Sequence, residues 1–282
     1  MSEVIDRPGK FVSKAPYLVK NRACATGPND PLAVTVPDQS STQTPPTTSL
    51  AMPFHHSSSR RSREAVKVEI PEEKEIEEDD DGFDPSLLPL PTDATKSATQ
   101  AIWRELRVIM KEQSNSSSYA GFQVDASKLR SVYQWVVHLK DFDPKLPLAK
   151  DMRDRGVKSV DLEVRFSGEF PHVPPYIRVI RPRMLRFLHG GGGHVTAGGS
   201  ICIDLLTLGN AKDRGWSSIY RMDAVLLQIK LALSSTEPRP ARLDPHAWNS
   251  DYTAHEGMNA FIRVANDHGW RVPPGFRDMF SK

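Results

Sequence analysis

Cys202, His194 and His189 are the side chains whose types and surroundings most suggest chemistry, because they lie in or beside a stretch, residues 190–199, in which six of ten residues are glycine. Glycine at that density is disfavoured inside a helix or strand by its conformational entropy. It suits tight turns and the close approach of another chain. A loop of this kind cradles phosphate when it carries GxGxxG or ends in Lys-Ser/Thr, and neither pattern is present. Zinc held by His189, His194 and Cys202 would lack a CxxC or HxxxH pair and a fourth ligand. What remains is a nucleophilic Cys202, beside the plainer reading of a core cysteine between Ile201 and Ile203, since free cysteine is among the most buried residue types.

The elements that must position this stretch are legible on both sides of it. Ala98, Ala101, Ile102, Leu106, Ile109 and Met110 recur at helical spacing, with Arg104, Arg107 and Lys111 largely off the stripe and residues 114–118, four of them serine, ending the helix. Four strand-like stretches follow, at 119–124, 132–139, 158–166 and 176–180. In the third, Val160, Leu162, Val164 and Phe166 alternate with Asp161, Glu163 and Arg165, which predicts an antiparallel sheet with one wet face. Helical spacing returns at Met222, Val225, Leu226, Ile229 and Leu233, and again at Met258, Phe261, Ile262 and Ala265. Helix, four strands, then helices is an α+β order.

The chain has 282 residues, with 37 Lys+Arg against 35 Asp+Glu and a formal net charge of +2. At ~150 residues per domain, that length allows one or two domains. The charge balance gives no electrostatic case for a general nucleic-acid binder. Two cysteines cannot build a disulfide framework and point to a reducing compartment. The best apolar run, residues 224–233, is broken by Gln228 and Lys230, so no membrane span is expected. The first ten residues are polar and lack a secretory core. The expected location is nuclear or cytoplasmic.

Composition divides the chain. Residues 1–92 hold 12 of the 23 prolines, none of the five tryptophans, and 10 basic against 15 acidic residues. Residues 25–92 read as a linker, Pro/Ser/Thr-rich and then acidic, with too little apolar surface to offset ordering. Residues 93–277 read as one core domain.

Several motifs in order resemble the ubiquitin-conjugating (E2) family. Gly199-Ser-Ile-Cys202-Ile-Asp-Leu-Leu looks like its active-site segment, and Phe170-Pro171-His172-Val173-Pro174-Pro175 like its aromatic-Pro-x-x-Pro-Pro turn. Trp216-Ser217-Ser218 and the Val225-Leu226-Leu227 helix follow in the family's order. The form Gly-Gly-Gly-His194-Val195-Thr196-x-Gly-Gly most resembles the Q-type branch. Pro-Leu-Pro before the first helix and Ile180-Arg-Pro-Arg-Met are similar to the conjugating portion of fungal poly(ADP-ribose) polymerase fusions. Residues 1–20 resemble the last strands of such a polymerase domain, so residues 1–24 read as a possible remnant of it.

The resemblance implies an α+β conjugating-enzyme fold in which Cys202 accepts ubiquitin, or a ubiquitin-like modifier, as a thioester from an activating enzyme. The modifier then passes to a lysine or a ligase. Its partners would be the modifier, the activating enzyme, an unidentified ligase and a protein substrate, with neither nucleic acid nor membrane. No cofactor is bound directly, and ATP is used by the activating enzyme. Most family members stabilise the developing oxyanion around His-Pro-Asn, the Asn eight residues before the Cys. Here His194 holds that position, and Gly192 and Gly193 replace His-Pro, so an imidazole N–H would substitute for the amide. Glu237, before Pro-Arg-Pro, resembles the acid that orients an incoming ammonium. Arg104, Arg107 and Lys111 sit where the family meets the activating enzyme. His172, Ser218 and Ile219 replace the usual ligase-contact residues, and Val66-Lys67-Val68-Glu69 resembles a SUMO-linked stretch. The loss of His-Pro-Asn leaves two rivals: an inactive variant that binds ubiquitin or a ligase, and an RWD-like interaction module.

Overall fold

The computed structural model describes residues 88–115, 119–208 and 215–280. The polymerase-like tail, the SUMO-like stretch and residues 25–87 of the linker lie outside the described residues.

Helix α1 (Lys96–Asn115) buries Ala98, Ala101, Ile102, Leu106 and Ile109, the stripe its spacing predicts. The Thr95 hydroxyl accepts the Ala98 N–H at its start. Arg104, Arg107 and Lys111 are exposed. Four strands follow: β1 (Phe122–Val124), β2 (Gln134–Leu139), β3 (Val160–Arg165) and β4 (Tyr176–Arg181). They form one antiparallel sheet in sequence order. Trp135, Val137, Leu139, Val160, Leu162, Val164 and Val179 line its inner face. The meander is interrupted by a helix that the sequence reading does not anticipate, α2 (Pro147–Asp154), with Pro147 in its first turn and Gly156 just beyond it. Helix α3 (Met222–Ser234) buries Met222, Val225, Leu226 and Ile229, and helix α4 (Ala254–His268) starts from a Thr253–Glu256 capping box. The architecture is α+β, as the order of elements predicts.

The outer sheet face also differs from expectation, because it is not wet throughout. Glu163 is buried because Arg178 (Nε–Oε2 2.6 Å) and Arg165 (Nε–Oε1 2.9 Å) fold over it. Arg178 donates onward to the Tyr252 carbonyl, and Arg165 to that of Met279. Alternation finds which residues share a face, but not whether a later segment roofs that face.

The short edge strand β1 is held by polar side chains. Gln113 brackets Val124, accepting its N–H and donating to its carbonyl. On the outer face, His138 lies between Asp161 (2.6 Å) and Asp125 (3.1 Å), with Ser159 and Ser127 bonded to those carboxylates and Lys128 beside Asp125. The Asp161 bond is the main cause that lifts the His138 pKa, against burial, and Asp125 adds to it. A raised histidine pKa contributes stability that is complete below the unfolded value of ~6.5 and is lost as pH rises through the folded value. We expect the melting temperature to fall as pH rises through that window in the parent chain and not in His138→Gln. Parallel slopes for the two proteins would contradict this.

Candidate active site

Cys202 closes a short hairpin. The Val195 and Ile201 backbones pair across it, Thr196 N–H bonds to Ser200 O at 2.9 Å, and Cys202 N–H bonds to His194 O at 2.8 Å. The hairpin then extends the sheet: Val179 N–H reaches Gly199 O (2.8 Å) and Ile201 N–H reaches Ile177 O (3.0 Å). The Ser200 hydroxyl, fully buried, is hydrogen-bonded to the Tyr176 hydroxyl at 2.8 Å and lies 3.3 Å from the Gly257 carbonyl, which ties the hairpin to β4 and α4. A cysteine on a strand locked from three sides is held to a fixed backbone position.

The glycines serve the chain's own packing, not only room for a partner. A Cβ at Gly192 would collide with the Arg239 carbonyl. Gly199 has φ +91°, and a Cβ there would lie 2.8 Å from the Tyr252 ring. The loop is therefore clamped between the Tyr252 ring, just before α4, and a strap of residues 239–243. The strap is anchored in turn by Asp151 of α2, which accepts from Arg242 Nε (2.6 Å), Arg242 Nη2 (2.9 Å) and the Leu243 N–H (3.0 Å). Burial alone would raise the Asp151 pKa, but Arg242 and the Leu243 N–H reverse that and lower it. Arg239 donates to Phe187 O at 2.9 Å, closing the strap over the loop's entrance. Neither Asp151 nor this strap carries a local motif. The start of α2 does have one signal, Pro at the first helical position and Gly beyond the end.

His194 is buried at 8% exposure with φ 59°, a left-handed conformation that is uncommon outside glycine. Burial pushes its pKa below the ordinary value, against the Cys202 backbone and Asp204, so the ring is neutral at pH 7. Cys202 is buried at 2% exposure. The structure thus brings His194 and Cys202 together across one hairpin. Glu237 is exposed at the approach to the strap, its backbone tied to Ser235. No hydrogen bond from its carboxylate is present among the described residues. His189 is exposed on the turn before the glycines. No group of three or more metal-ligating side chains assembles among the described residues, and none of their helices is long and apolar enough to cross a membrane.

The two surface loops compared with ligase contacts are joined: Trp216 Nε1 donates to Pro171 O at 2.6 Å, and the Trp216 ring lies 6.1 Å from Phe170 and 5.8 Å from Tyr220. His172 and Ser218 are exposed, and Ile219 is 81% exposed.

Known proteins similar to the chain cluster in one group. It is 31% identical over 178 residues to the Q-like ubiquitin-conjugating enzyme (E2) protein CG4502 of Drosophila melanogaster, covering 62% of this chain and 53% of that one. It is 31% identical over 146 residues to the human Q-like ubiquitin-conjugating enzyme (E2) protein 1, covering 51% of this chain and 84% of that one. The chain spans about half the length of the fly relative. Among solved structures, human ubiquitin-conjugating enzyme E2 G1 aligns with a TM-score of 0.36 at 15% identity, over 49% of this chain and 98% of that one. No protein-family model matches.

Proposed function

Because this chain belongs to the Q-like family of ubiquitin-conjugating (E2) enzymes, we propose that it carries ubiquitin, or a ubiquitin-like modifier, as a thioester on Cys202 and passes it to a lysine or to a ligase. The observation that supports this most is the hairpin that fixes Cys202 opposite His194 through a 2.8 Å backbone bond. In the first step the Cys202 thiolate attacks the modifier's thioester carbonyl on the activating enzyme. A new C–S bond forms, and the activating enzyme's thiolate leaves. ATP is used by that enzyme, and this chain needs no bound cofactor. The exposed Arg104, Arg107 and Lys111 of α1 are the proposed meeting surface for it.

In the second step the incoming ammonium loses a proton to solvent, the amine attacks the same carbonyl, the C–S bond breaks, Cys202 leaves as thiolate, and the amide nitrogen releases its extra proton to solvent. The oxyanion that develops needs a placed donor, whose removal typically costs ~2.7–4 kcal/mol. A neutral imidazole has one N–H, and His194 is the proposed donor. Glu237 is the proposed orienter of the incoming ammonium, reached from solvent.

A pulse-chase experiment tests this. The reduced chain is charged with activating enzyme, ATP and ubiquitin, the charging is stopped, and free lysine is added. We expect a thiol-sensitive adduct on a non-reducing gel that decays with lysine concentration. The adduct should persist in Cys24→Ser. Charging without lysine-dependent decay would confine the chain to handing its cargo to a ligase. Failure to charge would overturn the proposal and leave a ubiquitin- or ligase-binding module.

A further inference from the structure

On the segments that border the glycine loop, residues 181–187 and the strap 239–243, three arginines are paired with carboxylates and two are not. Arg181 holds Asp251 (Nη2–Oδ2 2.6 Å), Arg183 holds Glu256 (Nη1–Oε1 3.1 Å) and Arg242 holds Asp151 (Nε–Oδ2 2.6 Å). Arg186 and Arg239 have no carboxylate partner among the described residues. These two are neighbours in the fold. The Arg239 guanidinium rests on the Phe187 ring, 4.7 Å from its centroid, and donates to the Phe187 carbonyl at 2.9 Å, one residue beyond Arg186. Arg186 is exposed, while its carbonyl is held by the N–H groups of His189 (2.9 Å) and Gly191 (3.0 Å). A guanidinium presents five N–H donors in a rigid fork. In Arg239 one carbonyl engages the fork and the stack fixes its plane, so the other donors are set in place without a protein acceptor among the described residues.

We propose that Arg239, with Arg186 beside it, binds an aspartate or glutamate side chain of the protein substrate, and so selects acceptor lysines that lie close to an acid. The proposal rests on the thioester reading above and adds a substrate class to it. The chemistry fits a carboxylate. A planar fork matches its two oxygens with parallel hydrogen bonds, and a fork fixed beforehand loses little freedom on binding. The place fits as well. The Arg239 carbonyl lies against Gly192, two residues before His194, whose own carbonyl accepts the Cys202 N–H. An acid held at Arg239 therefore brings a neighbouring residue towards the thioester. Glu237, two residues before Arg239, is exposed, and its carboxylate bonds to neither arginine. The entrance thus offers one acid for an incoming ammonium and two unmatched guanidinium groups for the acids around it.

The test uses preformed thioester on the reduced chain and two peptides with blocked amino termini. Each peptide has one lysine, flanked by glutamates in the first and by glutamines in the second. Single-turnover discharge should be about tenfold faster to the glutamate peptide at low salt, and the ratio should shrink as salt screens the charges. Arg239→Gln should bring the ratio close to unity. Arg239→Lys keeps the charge and loses the fork, so its ratio should fall between the two. Taking the ratio within one protein cancels any general slowing that a change in the strap brings. If Arg239→Gln does not fold, the exposed Arg186→Gln carries the test, and its ratio should be about threefold below that of the parent. Equal rates to the two peptides in the parent chain, or a preference that survives Arg186→Gln/Arg239→Gln, would overturn the proposal. So would an unchanged ratio in Arg186→Gln where that variant alone can be read. A parent chain that never charges defeats the thioester reading instead, and is seen before any peptide is added.

Discussion

Arg178→Met lowers the stability of the fold by about 3–5 kcal/mol, the usual effect of removing one partner from a buried ion pair. Arg178 and Glu163 are 6% and 3% exposed, so water cannot replace the lost guanidinium. The Tyr252 carbonyl loses its 2.9 Å donor in the same step. Burial alone would push the Glu163 carboxyl up, and Arg178 and Arg165 more than offset it and hold it below its ordinary value. A depressed carboxyl pKa gives stability present above the unfolded value of ~4.3 and lost as pH falls through the folded value. Urea unfolding at neutral pH reads the effect as a lower midpoint. Glu163→Gln/Arg178→Met should recover much of the loss, because the buried carboxylate left with Arg165 as its one guanidinium partner is gone. A single variant within about 1 kcal/mol of the parent, or a double variant no better than the single, would contradict the account.

Asp151→Ala slows transfer from Cys202 by up to about 100-fold, although Asp151 belongs to α2 and not to the glycine loop. Remote changes that misplace reacting groups by about 1 Å have effects of this size. The carboxylate holds Arg242 and the Leu243 N–H, and the strap they belong to presses Arg239 O against Gly192. Without it the strap loses three hydrogen bonds, and the loop that carries His194 loses one wall. Arg242 is half exposed, so its guanidinium regains water, and the stability loss should stay near ~1–3 kcal/mol. Single-turnover discharge of preformed thioester reads the first effect, and thermal unfolding the second. A folded Asp151→Ala chain that discharges at the parent rate would separate the strap from the site.

What the sequence makes legible follows the range of the physics involved. The α1 stripe and the β3 alternation are local periodicities, and burial reproduces them at Ala98, Ile102 and Leu106 and at Val160, Leu162 and Val164. The same alternation assigns Glu163 to solvent, because nothing near it announces that Arg178, Tyr252 and Met279 arrive overhead. Helix α2 carries a terminal signal at Pro147 and Gly156, yet its eight residues are too short for periodicity to stand out. In the loop, glycine density marks a special backbone. Only coordinates separate space left for a partner from space filled by Arg239 and Tyr252. Cys202 and His194 are paired in the sequence by the family resemblance, and the structure sets them across one hairpin. Asp151 and Arg242 are 91 residues apart, and no spacing rule joins them.

The measurement that tests the central claim most directly is the intact mass of the chain after reduction and incubation with activating enzyme, ATP and ubiquitin, followed by peptide mapping. The account predicts a gain equal to ubiquitin less one water, removed by excess thiol and mapped to Cys202. In Cys202→Ser the gain should survive thiol and yield to hydroxide, as an ester does. A folded, reduced parent chain with no gain, or with a thiol-sensitive gain that persists in Cys202→Ser, would contradict it.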